Sequence, residues 1–244
     1  MELIKGDCLE VLKTLKDKSI DFVYLDLPYG QTACKWDNKL DLKELWIELK
    51  RIAKNDRTPF FFSCTTKFGF EIFNNSPKGY FRWDLVWKKN RGTGFLNAYK
   101  LPMRKHEMIY CFAKKSPEYD VSSHKEDGLN DGQYERPITC YGYNKDKINV
   151  IKPKSYKNPL PNSDITPSSW CEYNTDQKTG HRTAKPVALM EFLLKYWTKE
   201  GWTVLDPTMG SGSMGIACKN MKRKFIGIEK DDLIYELART RILG

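Results

Sequence analysis

The amino-acid sequence predicts an α/β fold in which an open, mostly parallel sheet of seven strands carries helices on both faces. Short β-branched or aromatic runs recur along the chain, and four of them end on an acidic residue. Two segments between these runs carry apolar residues at helical spacing. Such an alternation is typical of βαβ units, whose parallel sheets are buried on both faces.

The predicted strands are of two kinds. Four end on a carboxylate, and three others are rich in aromatic or β-branched residues and are bounded by Gly, Pro, Asn or basic residues. In chain order the seven segments are ELIKGD (2–7), DFVYLD (21–26), TPFFFSCT (58–65), FRWDLVWK (81–88), HEMIYCFAK (106–114), TVLDP (203–207) and KFIGIE (224–229).

Two helices are indicated by apolar stripes. After Asp7, the residues Leu9, Leu12 and Leu15 recur at helical spacing. The segment PVALMEFLLKYW (186–197) repeats the pattern behind a proline, which is favoured at the start of a helix. The first segment follows the predicted strand 2–7, and the second precedes the predicted strand 203–207, as in βαβ units. Both helices are expected to cover faces of the sheet.

The middle of the chain has a different character. From about 114 to 180, polar and turn-forming residues dominate and little periodicity is visible. Long segments without regular structure are uncommon inside compact domains and are usually functional. We therefore predict a main domain from 1–112 and 181–244, and an inserted module from 113–180.

Charge and composition narrow the class of protein. The 41 Lys and Arg residues outnumber the 31 Asp and Glu residues, and the net charge of +10 favours a polyanionic partner such as nucleic acid. Neither a signal peptide nor an apolar run of membrane-spanning length is present, so we expect a cytoplasmic protein without membrane contact. The seven cysteines form no CxxC pair, and with three histidines they predict reduced thiols and no metal site.

Carboxylates at the ends of parallel strands are expected to meet in one crevice, because open sheets bind ligands outside the carboxyl ends of their strands. Asp7, Asp26, Asp206 and Glu229 hold such positions, although each alone could simply cap a helix or form a turn. Asp206 opens the glycine turn DPTMGSGSMG, and Glu229 follows 23 residues later. This spacing suits a nucleotide whose ribose hydroxyls bind the acidic residue. The missing GKS or GKT sequence counts against ATP.

The segment DLPYG (26–30) closes the second predicted strand. Pro28 lacks an N–H and holds the chain extended, so neighbouring carbonyls stay free to accept hydrogen bonds. Asp26 accepts hydrogen bonds, and Tyr29 offers a ring face. Together they suit a planar group that bears an amine, such as a nucleobase flipped out of a duplex.

These motifs resemble those of DNA amino-methyltransferases of the β arrangement, in which the catalytic DPPY motif precedes the cofactor motif DPxxGSG. The resemblance implies a Rossmann-like sheet with circularly permuted motif order, the cofactor S-adenosylmethionine, and transfer of its methyl group to an exocyclic amine of adenine or cytosine. Leu27 replaces the first proline of the family motif, and Met209 stands where phenylalanine is common. The matching segments are DLPY (26–29), DPTMGSG (206–212), GDCLEVLK (6–13), HRTAKP (181–186) and RKHEMIY (104–110).

The resemblance also implies the roles of single residues. The target amine would be held by Asp26 and by the carbonyl of Leu27 or Pro28, while Tyr29 would stack on the flipped base. An aspartate carboxylate is too weak a base to deprotonate a neutral amine beforehand, so Asp26 is expected to act by hydrogen bonding in the transition state. The residues expected around the cofactor are Asp7, Cys8, Asp26, His181, Thr183, Lys185, Asp206, Thr208, Gly210, Ser211, Gly212, Ser213, Glu229 and Lys230.

Two regions are expected to contact DNA. The segment VWKKNRGTGF places Lys88, Lys89 and Arg91 beside a glycine-rich loop that could cover the crevice. A solvated hairpin loop is the simpler explanation of the same residues. The insert interleaves basic residues with tyrosines and is assigned to target recognition.

Several alternatives stay open at this point. The family's cytosine branch usually carries Ser in place of Asp26, so adenine is favoured over cytosine as the target. A catalytically silent DNA-binding subunit and a nicotinamide-dependent dehydrogenase are the other candidates. The sequence leaves open the choice between a monomer and a homodimer, and whether a restriction endonuclease acts on the same DNA site.

Overall fold

The computed structural model describes residues 1–28, 40–95, 98–120, 169–175 and 184–244. These residues fold as one compact unit, Met1–Asp120 with Ser169–Gly244. The predicted target-recognition residues of the insert, from 121 to 168, lie outside the described residues. In chain order the elements are β1 (Glu2–Lys5), α1 (Cys8–Thr14), β2 (Phe22–Leu25), α2 (Leu42–Ile52), β3 (Phe60–Cys64), α3 (Thr66–Asn75), β4 (Phe81–Thr93), β5 (Arg104–Phe112), β6 (Trp170–Glu172), α4 (Val187–Trp197), β7 (Thr203–Asp206), α5 (Ser213–Asn220), β8 (Lys224–Glu229) and α6 (Asp232–Leu243).

The strands form a single sheet in the order β1-β8-β7-β2-β3-β5-β4-β6. The first five of these run parallel, β5 is antiparallel to both β3 and β4, and β6 is parallel to β4. The prediction of an open, mostly parallel α/β sheet is therefore confirmed. Among the described residues, each predicted strand has a counterpart.

Two details of the predicted sheet were wrong. In the described part of the chain the sheet has eight strands instead of seven, because the three-residue strand β6 pairs with β4 through Val86 and Trp170. A strand this short carries no periodic signal, and it falls within the segment predicted as an insert. Strand β4 also continues to Thr93, beyond the predicted end at residue 88, so Lys89 and Arg91 lie in this strand.

The sheet is buried on both faces, as expected for parallel strands. Alternate residues of β2 point to opposite sides: Phe22 and Tyr24 join one core, while Val23 and Leu25 join the other. Helices α4, α5 and α6 cover the first face, and α1, α2 and α3 cover the second. Each fully buried large apolar side chain contributes roughly 1.5–3 kcal/mol to folding. No helix in the described part of the chain has the length and apolar character needed to cross a membrane.

Aspartates begin three of the helices. The Asp7 carboxylate accepts a hydrogen bond from the Leu9 N–H at 3.0 Å, and Asp41 and Asp231 cap α2 and α6 in the same way. An N-cap of this type stabilises a helix by about 1 kcal/mol. The helix starts are thereby fixed at the edge of the sheet where the strands end, and this edge carries the candidate site.

Helix α5 approaches α6 closely at Gly215. A β-carbon at this position would lie 2.5 Å from the Ile242 Cδ1 atom and 2.8 Å from the Phe225 Cε1 atom. Nearby, Gly212 has φ +81 and begins α5. The glycines therefore let α5 sit against the sheet and α6 at a distance that larger residues would not allow.

Replacement of Gly215 by Ala is expected to lower the free energy of unfolding by roughly 1–3 kcal/mol through overpacking, despite the better helix propensity of Ala. Urea unfolding followed by circular dichroism measures this loss. Ile242→Val removes the Cδ1 atom, so the double variant G215A/I242V should lose less than the sum of the two single losses. Strictly additive losses would contradict the close contact between α5 and α6.

Candidate active site

The four carboxylates singled out by the sequence lie at the carboxyl ends of four adjacent strands. The sheet order β1-β8-β7-β2 places Asp7, Glu229, Asp206 and Asp26 side by side along one edge. A backbone hydrogen bond joins the ends of β1 and β8, where the Gly6 N–H donates to the Glu229 carbonyl at 3.0 Å. The edge is therefore a single crevice and not four separate caps.

The glycine turn after β7 closes this crevice from one side. The Gly210 N–H donates to the Glu229 carboxylate at 3.1 Å, and the Thr208 hydroxyl donates to the Asp26 backbone carbonyl at 3.2 Å. Gly210 has φ +52, and among the described residues a β-carbon there would have only the Thr208 carbonyl oxygen within 4.0 Å. The backbone thus faces open space, and a ligand can approach it closely.

Glu229 also holds the loop that follows β8. Its second carboxylate oxygen accepts the N–H groups of Lys230 and Asp231, each at 2.9 Å. The Lys230 ammonium lies 3.0 Å from the Asp7 carboxylate at the rim of the crevice. Burial opposes ionisation of Asp7, but the hydrogen bonds from Lys230 and Leu9 outweigh it, and the pKa of Asp7 is lowered. The rim therefore carries an ionised acid in a fixed position.

Cys8 lies behind this rim. It is buried, and burial raises the pKa of its thiol to about 12, with a smaller contribution from the neighbouring Asp7 charge. The group is a neutral thiol at physiological pH. It therefore offers an apolar wall and no charge to a ligand.

A small cavity lies between the ends of β2 and β7. Its wall includes Ser213, whose hydroxyl is buried and has no hydrogen-bond partner among the described residues. A buried polar atom without a partner is costly unless a ligand or water satisfies it. Met190, Met209 and Met214 supply apolar wall atoms. The further lining residues are Tyr24, Asp26, Ala184, Lys185, Asp206, Thr208, Gly210 and Ser211.

Asp206 stands at the back of this cavity and is 3% exposed. Burial raises its pKa well above the usual value, and the charges of Asp26 and Glu229 act in the same direction against the hydrogen bond from the Thr208 N–H. The Asp206 carboxyl therefore keeps its proton to a higher pH than an ordinary aspartate does. A protonated carboxyl can donate a hydrogen bond as well as accept one.

Lys185 connects the start of α4 to the end of β2. Its ammonium is 2.5 Å from the Asp26 carboxylate and 3.5 Å from the Glu107 carboxylate, and its side chain is only 10% exposed. Glu107 also pairs with the Lys89 ammonium and accepts a hydrogen bond from the Ser63 hydroxyl at 3.3 Å. Two ammonium groups and two carboxylates therefore form one compact charged cluster.

Glu107 is ionised within this cluster. Burial would raise its pKa, but the charges of Lys185 and Lys89 together outweigh burial and hold the pKa below the usual value. Sequence reasoning did not single out this residue. The available signal was an acidic residue near the start of the apolar segment HEMIYCFAK, where a carboxylate needs a partner.

The remaining predicted residues have mixed outcomes. Tyr29, His181 and Thr183 lie outside the described residues, and their roles stay predictions. Leu27 is buried and Pro28 is half-buried beside Asp26. Gly212 and Ser213 begin α5, directly behind the glycine turn.

The three residues predicted to contact DNA lie along β4. The Lys88 ammonium pairs with Glu172 at 2.9 Å and lies 5.1 Å from the centre of the Trp170 ring, while Arg91 is exposed. Lys89 is 11% exposed and its charge is committed to Glu107. Its position therefore differs from that expected of a surface residue that contacts phosphate.

A family model described as DNA methylase, which covers amino-methyltransferases of the N6 and N4 type, matches residues 20–240. The chain belongs to this DNA methylase family. The Type II methyltransferase M.HinfI of Haemophilus influenzae is 26% identical over 279 residues, covering 98% of this chain and 67% of the relative. The resemblance seen in the motifs is thus confirmed.

Solved structures of similar fold include other DNA methylases. The M1.HpyAVI-SAM complex has a TM-score of 0.62 at 24% identity and covers 98% of both chains. The cytosine-N4-specific PvuII DNA methyltransferase has a TM-score of 0.70 at 16% identity, covering 99% of this chain and 86% of that chain. At these identities the likeness concerns the fold of the methylase.

Asp206→Asn is expected to raise the free energy of unfolding of this methylase at neutral and mildly alkaline pH. Asn keeps an acceptor for the Thr208 N–H and removes the cost of burying a charge. The pKa of Asp206 is higher in the folded state than in the unfolded state. The free energy of unfolding of the wild type therefore falls as pH rises from the unfolded-state pKa to the folded-state pKa of this group. The advantage of the variant should therefore vanish near pH 4 and grow with pH.

Chemical denaturation at a series of pH values measures this difference. Asp21→Asn is a matched control, because Asp21 is equally buried but pairs with Lys54 at 2.7 Å. This control should be destabilised at neutral pH through loss of the ion pair. A pH-independent difference between D206N and wild type would contradict a raised pKa at Asp206.

Proposed function

We propose that this methylase transfers a methyl group from S-adenosylmethionine to the exocyclic 6-amino group of adenine in a specific DNA sequence. The observation that carries the proposal is the junction of β2 and β7, where the Thr208 hydroxyl binds the Asp26 carbonyl at 3.2 Å. This contact brings the amine-binding segment and the glycine turn into one crevice. A methyl donor and an acceptor amine held there would be neighbours.

The crevice has suitable groups for S-adenosylmethionine, which supplies a methyl group on a positively charged sulfonium. Glu229 presents a carboxylate to ribose hydroxyls at the end of β8, and its place is fixed by the Gly210 N–H at 3.1 Å. Carboxylate oxygens accept several hydrogen bonds, so this contact leaves capacity for a ligand. The open side of Gly210 and the Ser213 hydroxyl, which lacks a partner in the described part of the chain, suit the amino-acid arm of the cofactor. The resemblance implies that Thr183 and Lys185 close the same pocket, and His181 is a further candidate there.

Asp26 is proposed to bind the acceptor amine. The lone pair of an adenine amine is delocalised into the ring, so the nitrogen is a weak nucleophile. Hydrogen bonds from its two N–H groups to the Asp26 carboxylate and to the carbonyl of Leu27 or Pro28 would draw the nitrogen toward tetrahedral geometry. The localised pair can then attack the methyl group in line, and positioning supplies much of the rate acceleration.

The reaction also requires a place for one proton. The amine nitrogen gains a methyl group, the sulfonium leaves as a neutral thioether, and the cationic nitrogen releases a proton. Asp26 stabilises the positive charge as it develops and accepts the proton late, directly or through water. Tyr29 is proposed to stack on the flipped base and to offset part of its cost of unstacking.

Lys185 and Glu107 are proposed to position Asp26. A lone Lys185 ammonium beside Asp26 would compete with the amine for the carboxylate. Glu107 draws that ammonium toward β5, at 3.5 Å, and Lys89 balances the remaining charge. These four side chains together carry no net charge, so no excess positive charge holds the Asp26 carboxylate.

The 4-amino group of cytosine is the second candidate target. It has the same hydrogen-bonding pattern, and the matching family includes enzymes of both the N6 and the N4 type. Asp26 favours adenine because the cytosine branch usually carries Ser at this position. Duplex DNA is the proposed partner in either case, with the target base flipped out of the stack.

Transfer of a labelled methyl group to mixed-sequence DNA, followed by nucleoside analysis, tests the proposal. Label is expected in deoxyadenosine; label in deoxycytidine would replace adenine by the second candidate. Asp26→Asn should bind the cofactor but lose roughly 10²–10³ in rate, as on removal of one transition-state hydrogen bond. Asp231→Asn, which alters an exposed helix cap, is the control and should retain its rate. DNA free of label with folded wild-type protein would overturn the proposal.

Glu107→Gln should lower kcat about tenfold or more, which corresponds to at least about 1.4 kcal/mol, while KM for the methyl donor changes little. The cause is an excess positive charge that holds Asp26 to Lys185. Lys89→Met in the same chain restores neutrality, so kcat of E107Q/K89M at saturating DNA should exceed kcat of E107Q. If the two losses simply multiply, Glu107 has a structural role only.

A further inference from the structure

A basic cavity of about 570 Å³ lies at the edge of the sheet opposite the candidate active site. Phe60 at the start of β3 lies at its base, whereas Cys64 at the end of β3 lies toward the crevice. Four residues of extended chain separate the two edges by roughly 13 Å. A ligand in this cavity is therefore distinct from the base and the cofactor in the crevice.

Positive charge dominates the lining of this basic cavity. Among the described lining residues, the one carboxylate is that of Asp56, which pairs with both Lys114 and Lys115 at 3.1 Å. Asp21, outside the lining, pairs with Lys54 at 2.7 Å. Counted over the described residues, these two carboxylates leave a surplus of four positive charges. The six cationic residues of the lining are Lys18, Lys50, Lys54, Arg57, Lys114 and Lys115.

Backbone contacts fix the cationic segments in place. The Lys115 N–H donates to the Asp56 carbonyl at 2.7 Å, and the Lys18 N–H donates to the Arg51 carbonyl at 3.1 Å. The first contact ties the end of β5 to the loop before β3, and the second ties the loop before β2 to the end of α2. The cations therefore surround a built concave site and are not scattered over a convex surface.

The base of the cavity is aromatic and polar. Phe60 and Thr58 are buried there, and the half-buried Tyr80 ring packs edge-on against Trp46 at 6.2 Å between centroids. A cavity of several hundred Å³ is the size of a typical ligand site. Cations around an aromatic surface suit a phosphate-bearing chain with planar bases.

We propose that the basic cavity binds the phosphate groups of nucleic acid at a second site, apart from the crevice that takes the reacting base. The proposal goes beyond the proposed methyl transfer. A DNA segment bound here would be a different part of the polymer, or a different molecule, from the segment whose base is modified. A free phosphorylated compound carries the same chemistry, so the test separates the two sources.

The salt dependence of DNA binding measures the contribution of the cavity. Fluorescence anisotropy of a labelled mixed-sequence duplex is recorded over a range of salt concentrations with the full-length chain. The triple variant K50Q/K114Q/K115Q is expected to reduce the slope of log K against log [salt] by about 2–3, since each phosphate contact contributes about 0.9. The variant should keep the wild-type rate of methyl transfer at saturating DNA.

A matched control removes the same total charge from the same edge of the sheet. K195Q/K222Q/K224Q alters three lysines outside the cavity and should change the slope by less than about 1. Calorimetric titration with tripolyphosphate tests the other source. Tripolyphosphate could bind to wild type and to the control but not to K50Q/K114Q/K115Q, while the DNA slopes stay unchanged. That result would keep the cavity as a phosphate site and would replace nucleic acid by a free phosphorylated compound as its ligand.

Equal slope changes in both triple variants, together with no tripolyphosphate binding to wild type, would overturn the proposal. Circular dichroism and urea unfolding of each variant verify that the fold is kept. A failure here is distinguishable from a failure of the proposed function, because methyl transfer by wild type is measured independently of these lysines.

Discussion

The ion pair between Lys185 and Asp26 joins residues that are 159 positions apart and determines how the candidate site is assembled. A nearly buried ammonium is stable only with partners, because desolvation of a charge costs several kcal/mol. If Asp26 were the only partner of Lys185, the ion pair would compete with the proposed binding of an amine by Asp26. Glu107 on β5 relieves this conflict, so β2, β5 and the start of α4 must meet at one point.

Sheet order, and not chain order, brings these parts together. Strand β2 lies between β3 from the first half of the chain and β7 from the last part. The segment after β2, which is proposed to bind the amine, and the glycine turn after β7 are therefore adjacent although the sequence separates them widely. The same adjacency follows whichever motif comes first in the chain, because parallel neighbours always present their carboxyl ends at one edge. A permuted motif order is thus compatible with an unchanged site.

Residues at strand ends were predictable from the sequence because their position depends on the strand alone. Asp7, Asp26, Asp206 and Glu229 needed no knowledge of side-chain direction. Glu107 and Lys89 lie inside strands, where a side chain can face the crevice or the solvent. Their pairing across β4 and β5 depends on register, which one sequence does not reveal. The small strand β6 was missed for a related reason: pairing, and not local pattern, makes it a strand.

The two edges of the sheet differ in net charge, and burial explains the difference. At the carboxyl edge, two carboxylates and two ammonium groups balance because the cluster is largely buried. At the amino edge, lysines are exposed and water screens them, so a surplus of positive charge is tolerated there. The proposed attraction for a polyanion therefore depends on exposed cations, while the proposed binding of the amine depends on a neutral cluster. Added salt should then weaken the capture of DNA far more than the reactivity of DNA already in place, because screening acts on exposed charges and hardly reaches buried pairs.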